Sequence, residues 1–232
     1  MKRRSILSAA LAAPVLSRLA APSIAAAAGP SVLKVIPSAN LTSVDPIFTT
    51  AYITRNHAFM IYDTLYGLNA ALEPQPQMAA GHTIDDDGLT VTITLRDGLT
   101  FHDGEPVRAA DAAASLRRWM KRSAFGQKLD AATHEVAALD DKRFRFRLKK
   151  RFPTLFDALA SVPNSSFVMP ERVAATDPYK QITETIGSGP FRFKRDEFNS
   201  GNLAVYERNP GYVPRPDGET SLTSGPKHVF FD

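Results

Sequence analysis

His102 and Asp103 are neighbours, and Asp63 is the one charged residue of Phe59–Leu68. A histidine beside a carboxylate can carry a proton, and acids that converge in a pocket can hydrolyse a bond. A secreted hydrolase using Asp63, His102 or Asp103 is therefore one reading of the chain. The competing reading of His102 is an exposed residue on a turn whose geometry Asp103-Gly104 sets, because its spacing matches no metal-ligand pattern. Asp85-Asp86-Asp87-Gly88 offers three carboxylates, but they are consecutive, whereas a calcium loop alternates its acids. Turn chemistry makes that stretch a hairpin turn. The five histidines, His57, His82, His102, His134 and His228, form no His-x-x-x-His pair. No nucleophile elbow, phosphate loop or dinucleotide fingerprint occurs. The chain has no cysteine, which excludes thiolate metal sites, disulfides, a cysteine nucleophile and a lipid anchor on cysteine. No catalytic residue, metal or cofactor is assigned on these grounds.

The elements that would position such groups centre on Asp85–Trp119. Leu89, Val91, Ile93 and Leu95 alternate with Thr90, Thr92 and Thr94, the period of a half-buried strand. Asp97-Gly98 and Asp103-Gly104 are turn dipeptides. Ala112, Ser115, Leu116, Trp119 and Met120 then recur at helical spacing. Upstream, Val32–Ile36 reads as a first strand, Pro37–Pro46 as a loop and Ile47–Ile53 as an extended segment. Asn56–Leu68 reads as a helix with Gly67 near its end. Downstream, Lys121–Gln127 is a polar connection and Glu135–Leu139 a strand. Phe144, Phe146 and Leu148 alternate with Arg143, Arg145 and Arg147. That gives a strand with one apolar face and one solvated arginine face that also discourages edge pairing. Pro153–Leu159 and Glu171–Ala175 read as short helices, the second with Pro170 at its first turn. Leu203–Arg208 reads as a strand turned by Asn209-Pro210-Gly211-Tyr212.

The chain has 232 residues and a formal charge of +4. The first 28 residues carry four bases (Lys2, Arg3, Arg4 and Arg18) and no acid, leaving 24 bases and 24 acids in the rest. The basic balance thus belongs to the leader, and no nucleic-acid partner is implied. Met1–Ala28 has a basic start, an apolar middle and a small-residue end, the layout of a secretory signal cleaved near Ala28. Arg3-Arg4-Ser5-Ile6-Leu7 is similar to a twin-arginine export signal; an ordinary secretory leader beginning Lys-Arg-Arg is the alternative. Pro14, Arg18 and Pro22 interrupt it too often for a membrane-spanning helix, which needs about 20 apolar residues.

The wording of the central stretch resembles the family-5 extracellular solute-binding proteins of ABC importers, the peptide- and nickel-type carriers. The family's Leu-Arg-x-Gly, Phe-x-Asp-Gly, Pro-Val and Ala-x-Asp elements fall on Leu95, Arg96, Gly98, Phe101, Asp103, Gly104, Pro106, Val107, Ala109 and Asp111. Leu41–Pro46 resembles the family's Leu-x-x-Leu-Asp-Pro opening, and Glu73–Ala79 its proline-bearing segment. Gly187-Ser188-Gly189-Pro190-Phe191 is a further family-like motif, and Arg208, Asn209, Pro210 and Tyr212 fit Arg-Asn-Pro-x-Tyr-Trp, with Val213 in place of the tryptophan.

The resemblance implies an α/β (α+β, mixed-sheet) fold, namely the first lobe of a type II periplasmic-binding-protein-like architecture. Residues 29–232 would form that lobe, ending before a second one. It implies a periplasmic subunit that captures a peptide or similar small solute non-covalently, works with ABC permease subunits in the inner membrane, and is expected to be a monomer. A non-functional truncated remnant is a further alternative. In peptide-binding members the loop after Asp45-Pro46 lines the cleft, which points to Thr49, Thr50, Ala51 and Tyr52, and to Phe125 for the same wall. Tyr52 could equally pack beneath that loop. Arg108 stands where the family usually has a capping hydroxyl, a loss worth about 1 kcal/mol, while Asp111 still favours the helix dipole. Gly218–Asp232 reads as polar loop and an unfinished strand, Lys227–Phe231.

Overall fold

The computed structural model describes residues 31–232; the leader expected at 1–28 lies outside them. Its main sheet has four antiparallel strands in the order β3 (Ala79–Ile84), β4 (Thr90–Leu95), β6 (Arg143–Leu148), β5 (Thr133–Ala138). Alternation sets the register: Val91 faces Phe146 and Ile93 faces Phe144, while Thr92 pairs with Arg145. One face therefore buries Val91, Ile93, Leu95, Phe144, Phe146 and Leu148. The other shows threonines and arginines, with Arg147 near Glu135 at 3.5 Å and Arg143 on Asp140 at 2.7 Å. The β3–β4 turn is the Asp85–Gly88 stretch, with Gly88 at φ +69°.

Helix α2 (Ala109–Met120) packs against β5 and β6 and buries Ala112, Leu116, Trp119 and Met120. Its start is not left uncapped by Arg108. The Asp111 Oδ2 accepts the Arg108 backbone N–H at 2.7 Å, and Oδ1 accepts the Glu171 N–H at 2.7 Å. Asp111 thus caps α2 and fastens it to a second short helix, Glu171–Ala174. Residues 124–127 are not a connection, as their polarity suggested, but the start of α3 (Ala124–Ala132), whose Ser123 hydroxyl accepts the Gly126 N–H. A local cap decided this, and glycine at 126 fits because Met120 Cα lies 2.7 Å from where a Cβ would stand. The helix read over Pro153–Leu159 spans Leu155–Leu159 (α4), and Glu171–Ala174 is α5, with Pro170 at its N-cap position.

The largest departure from sequence expectation lies before the sheet. The helix placed at Asn56–Leu68 instead spans Tyr52–Ile61 (α1), and Tyr66–Leu68 is a strand (β1) paired with Pro74–Pro76 (β2). Tyr62, Asp63, Thr64 and Leu65 are buried between these elements outside any helix, with Tyr62 extended and Thr64 bridged to Phe167. Phe59, Tyr62, Asp63 and Tyr66 recur at helical spacing, yet neighbours on several sides bury the segment, so periodicity misreads it. Gly67 sits in β1, where the Thr223 carbonyl oxygen would be 2.3 Å from an added Cβ. Val32–Ile36 and Lys227–Phe231 form no strand ladder among the described residues; Ser31 bonds Phe230 and Asp232, and Ile36 is 97% exposed. Leu203–Arg208 contributes only Tyr206–Arg208 (β8), paired with Phe191–Phe193 (β7). No helix of the described residues is long and apolar enough to cross a membrane.

His57 of α1 is buried against Phe193, its Nδ1 lies 2.7 Å from the Tyr206 hydroxyl, and its Nε2 has no partner. Burial, aided by Arg195, lowers its pKa to about 4. The unfolded chain takes up this proton near pH 6.5, before the folded protein does. The stability His57 contributes is therefore complete above about pH 6.5 and is lost as pH falls towards 4, on the order of 3 kcal/mol. Urea unfolding at pH 7.5 and 4.5 should show this loss, and His57→Gln should reduce the difference by about that amount, leaving the share of His102. An unchanged pH slope in that variant would assign the acid sensitivity elsewhere.

Candidate functional site

The segment after Asp45-Pro46 is held from below by one carboxylate. Asp45 is fully buried and accepts the backbone N–H groups of Ile47 (2.9 Å), Phe48 (3.2 Å) and Ile182 (3.0 Å). Arg118 of α2 meets the same carboxylate with both terminal nitrogens, at 3.1 and 2.7 Å. Its remaining donors reach the carbonyls of Thr176 and Lys180 at 3.1 and 3.0 Å. The Thr54 hydroxyl donates to the Ser43 carbonyl at 2.7 Å, tying α1 to the same loop. The chain emerging from this anchor is consequently fixed at its root and open at its tip.

The tip holds the sequence-predicted residues Thr49, Thr50, Ala51 and Tyr52. Thr50, Ala51 and Tyr52 are exposed, and Thr49 is half-buried with its hydroxyl accepting the Ala51 N–H at 3.3 Å. Tyr52 opens α1 at 70% exposure, with the Arg55 guanidinium 4.6 Å from its ring centroid. Ala51 is the N-cap, without a capping side chain, and no acid lies in the first turn. Phe125 does not lie on a connection but on α3, 42% exposed, with Lys128 at 5.9 Å from its ring.

Beside the tip is a group that sequence reasoning missed. The Arg122 guanidinium lies 5.6 Å from the Phe48 ring and 4.9 Å from the Tyr179 ring, and donates to the Phe48 carbonyl at 2.8 Å. With Ile47, Thr50, Trp119 and Asn164 it lines a small cavity of about 30 Å³. Trp119, the single tryptophan, is anchored there by its Nε1 donating to the Asn164 carbonyl at 2.6 Å. A polar residue at the end of an amphipathic helix reads as solvated, so nothing in the sequence singled out Arg122 or Arg118. A groove of about 310 Å³ lies elsewhere, between the β3–β4 turn and α4, lined by Asp85, Val91, Phe152 and Phe156 among others.

The three groups suggested for hydrolysis are not brought together. His102 is not exposed: its Nδ1 accepts the Gly187 N–H at 3.3 Å, its Nε2 lies 3.2 Å from the Gly189 carbonyl, and burial lowers its pKa to about 4. Asp103 turns to Arg172 at 2.8 Å. Asp63 is buried on Lys227 at 2.7 Å and the Tyr212 hydroxyl at 3.2 Å. Each is occupied by a different structural partner. His102 instead braces the Gly187–Gly189 segment, whose Gly189 N–H donates to the last carbonyl of α1, Ile61, at 3.0 Å.

The model of the bacterial extracellular solute-binding proteins, family 5, matches residues 73–225, and the chain belongs to that family. Its relatives are binding proteins. A probable peptide ABC transporter periplasmic-binding protein of Sinorhizobium fredii is 41% identical over 193 residues, 83% of this chain and 36% of that protein. Among solved structures, a binding protein of A. tumefaciens R10 in complex with mannopinic acid superposes with a TM-score of 0.63 at 27% identity, over 75% of this chain and 36% of that one. A dipeptide-binding protein of Pseudoalteromonas sp. SM9913 in complex with Met-Leu has the same fold, TM-score 0.64 at 22% identity, over 75% of this chain and 39% of that one. The chain thus spans little more than a third of the length of the proteins it matches, and its mixed α/β fold is part of theirs, the type II periplasmic-binding-protein architecture.

Proposed function

We propose that the chain is first-lobe material of the solute-binding subunit of a peptide-type ABC importer, exported to the periplasm and acting as a monomer. Residues 1–28 are read as the leader, of twin-arginine type and cleaved near Ala28, and 29–232 as the lobe. The solute is a peptide or similar small molecule, gripped without bond making or breaking, and the partner is the permease in the inner membrane. No cofactor enters this reading. Thr49, Thr50, Ala51 and Tyr52 form the wall, and Phe125 is assigned to the same wall.

The observation that carries this is the buried Asp45–Arg118 anchor under an exposed tip. A wall that keeps its shape without solute loses little entropy when solute arrives. Hydroxyls, open backbone groups and an aromatic ring suit a peptide backbone better than they suit chemistry. The family relation of the chain and the peptide named for the Sinorhizobium relative support the substrate class.

A single wall buries only part of a ligand, so its affinity is weak, with a Kd on the order of 1–10 mM. Titrating the ¹⁵N-labelled chain with di- to pentapeptides should shift the amides of Thr49–Tyr52. Micromolar binding would contradict the one-wall reading, and unmoved Thr49–Tyr52 signals would remove these residues from the site.

A further inference from the structure

We infer that Arg122 is a carboxylate-recognising residue at the edge of the Thr49–Tyr52 wall, so that the solute presents an anionic end there. The inference rests on the proposed solute-binding reading and adds the chemistry of one end of the solute.

A half-buried guanidinium ordinarily has an acid beside it, since desolvating a cation without one is unfavourable. Arg122 has none: it forms no ion pair among the described residues. Asp45 is paired with Arg118 and Asp130 with Lys121, while the exposed Asp177 accepts the Tyr179 N–H at 2.8 Å and forms no ion pair with Arg122. Two aromatic rings and one carbonyl hold Arg122 in place, and a single hydrogen bond to Phe48 leaves other N–H groups of the fork open. Rings on two sides and the Phe48 carbonyl restrict the guanidinium, and a restricted planar fork favours two-point contact with a carboxylate.

The surroundings have the same sign. Arg55 of α1 lies 4.6 Å from the Tyr52 ring centroid and also forms no ion pair among the described residues. The cavity lining of Pro46, Ile47, Phe48, Thr50, Trp119, Arg122, Ser123 and Asn164 contains no acid. Residues 46–56 contain none either. An anion approaching Thr50 would meet a cation, hydroxyls and the open end of α1, and no carboxylate on the tip to repel it. A solute lacking an anion would leave Arg122 without a counter-charge.

The test compares Ala-Ala carrying a free carboxylate with its C-terminal amide, titrated by NMR into the full chain and into Arg122→Gln and Arg122→Lys. The free acid should bind about 5- to 10-fold tighter than the amide, the size of one partly exposed charge-assisted contact. High salt should reduce that ratio. Arg122→Gln should bring the ratio to within about twofold of unity, and Arg122→Lys should retain part of it, because the charge survives without the planar fork. A residue that only braced Phe48 would change both affinities together and leave the ratio alone; that result overturns the inference. Equal binding of acid and amide by the parent chain, with Thr49–Tyr52 still shifting, overturns it as well while the wall reading stands. Absence of binding by either probe overturns both.

Discussion

Asp45→Ala should lower the unfolding free energy by about 3–5 kcal/mol, the range for removing one partner of a buried ion pair. The substitution does two things at once. It leaves the Arg118 guanidinium, 2% exposed, without its counter-charge, and it strips an acceptor from the N–H groups of Ile47, Phe48 and Ile182. Arg118 cannot escape by losing its proton, because guanidinium stays charged in proteins. Asp45→Asn should be milder, since an amide oxygen can still accept one or two of the N–H bonds. Asp45→Ala combined with Arg118→Met should cost less than the two single changes added together, because the stranded charge is gone. Denaturant midpoints of the parent and the four variants, Arg118→Met alone included, measure this directly. A loss below about 1 kcal/mol for Asp45→Ala would mean that the pair is solvated in practice and that the tip of the wall is not anchored as described.

Gly187→Ala should be comparably severe, about 3 kcal/mol or more, and should abolish soluble expression if the protein is only marginally stable. The added Cβ would stand 1.8 Å from the Ile61 carbonyl oxygen and 2.6 Å from its carbon, both backbone atoms at the end of α1. No side-chain rotation relieves such a clash. Gly189 is similar, with Ile61 and Met60 backbone atoms 2.7–2.8 Å away. Two controls separate this cause from backbone strain. Gly98 sits at φ +75° in open space, so Gly98→Ala should cost only the left-handed penalty of about 1–2 kcal/mol. Gly81 has neither a positive φ nor a neighbour within 4 Å, and Gly81→Ala should stay within about 1 kcal/mol of the parent. Thermal midpoints of the three variants should follow that order; a benign Gly187→Ala would mean that α1 and the glycine segment can move apart.

These two sites also mark what could be read from the chain alone. The Gly-Ser-Gly-Pro-Phe wording marked the segment as family-like without giving a reason for its glycines, and neither Gly187 nor Gly189 has a positive φ. The actual reason is contact with a helix more than a hundred residues earlier in sequence, which no local pattern encodes. Asp45 was visible as part of a family-like Asp-Pro, whereas its partner Arg118 was hidden within an amphipathic helix. Arg122 was hidden because it stands in the polar stretch after that helix, where a charge is ordinarily solvated.

Local physics determined β4, α2, β6 and the turns at Gly88, Gly98 and Gly104, because alternation, helical spacing and turn chemistry are properties of neighbours in sequence. Family wording pointed to Thr49–Tyr52. Only the tertiary structure ended α1 at Ile61, turned Tyr66–Leu68 into a strand, moved His102 off the surface and onto the glycine segment, and set Arg122 between Phe48 and Tyr179. Each of those outcomes depends on what long-range neighbours bury or pair, and burial by distant residues overrides the local signal wherever the two disagree.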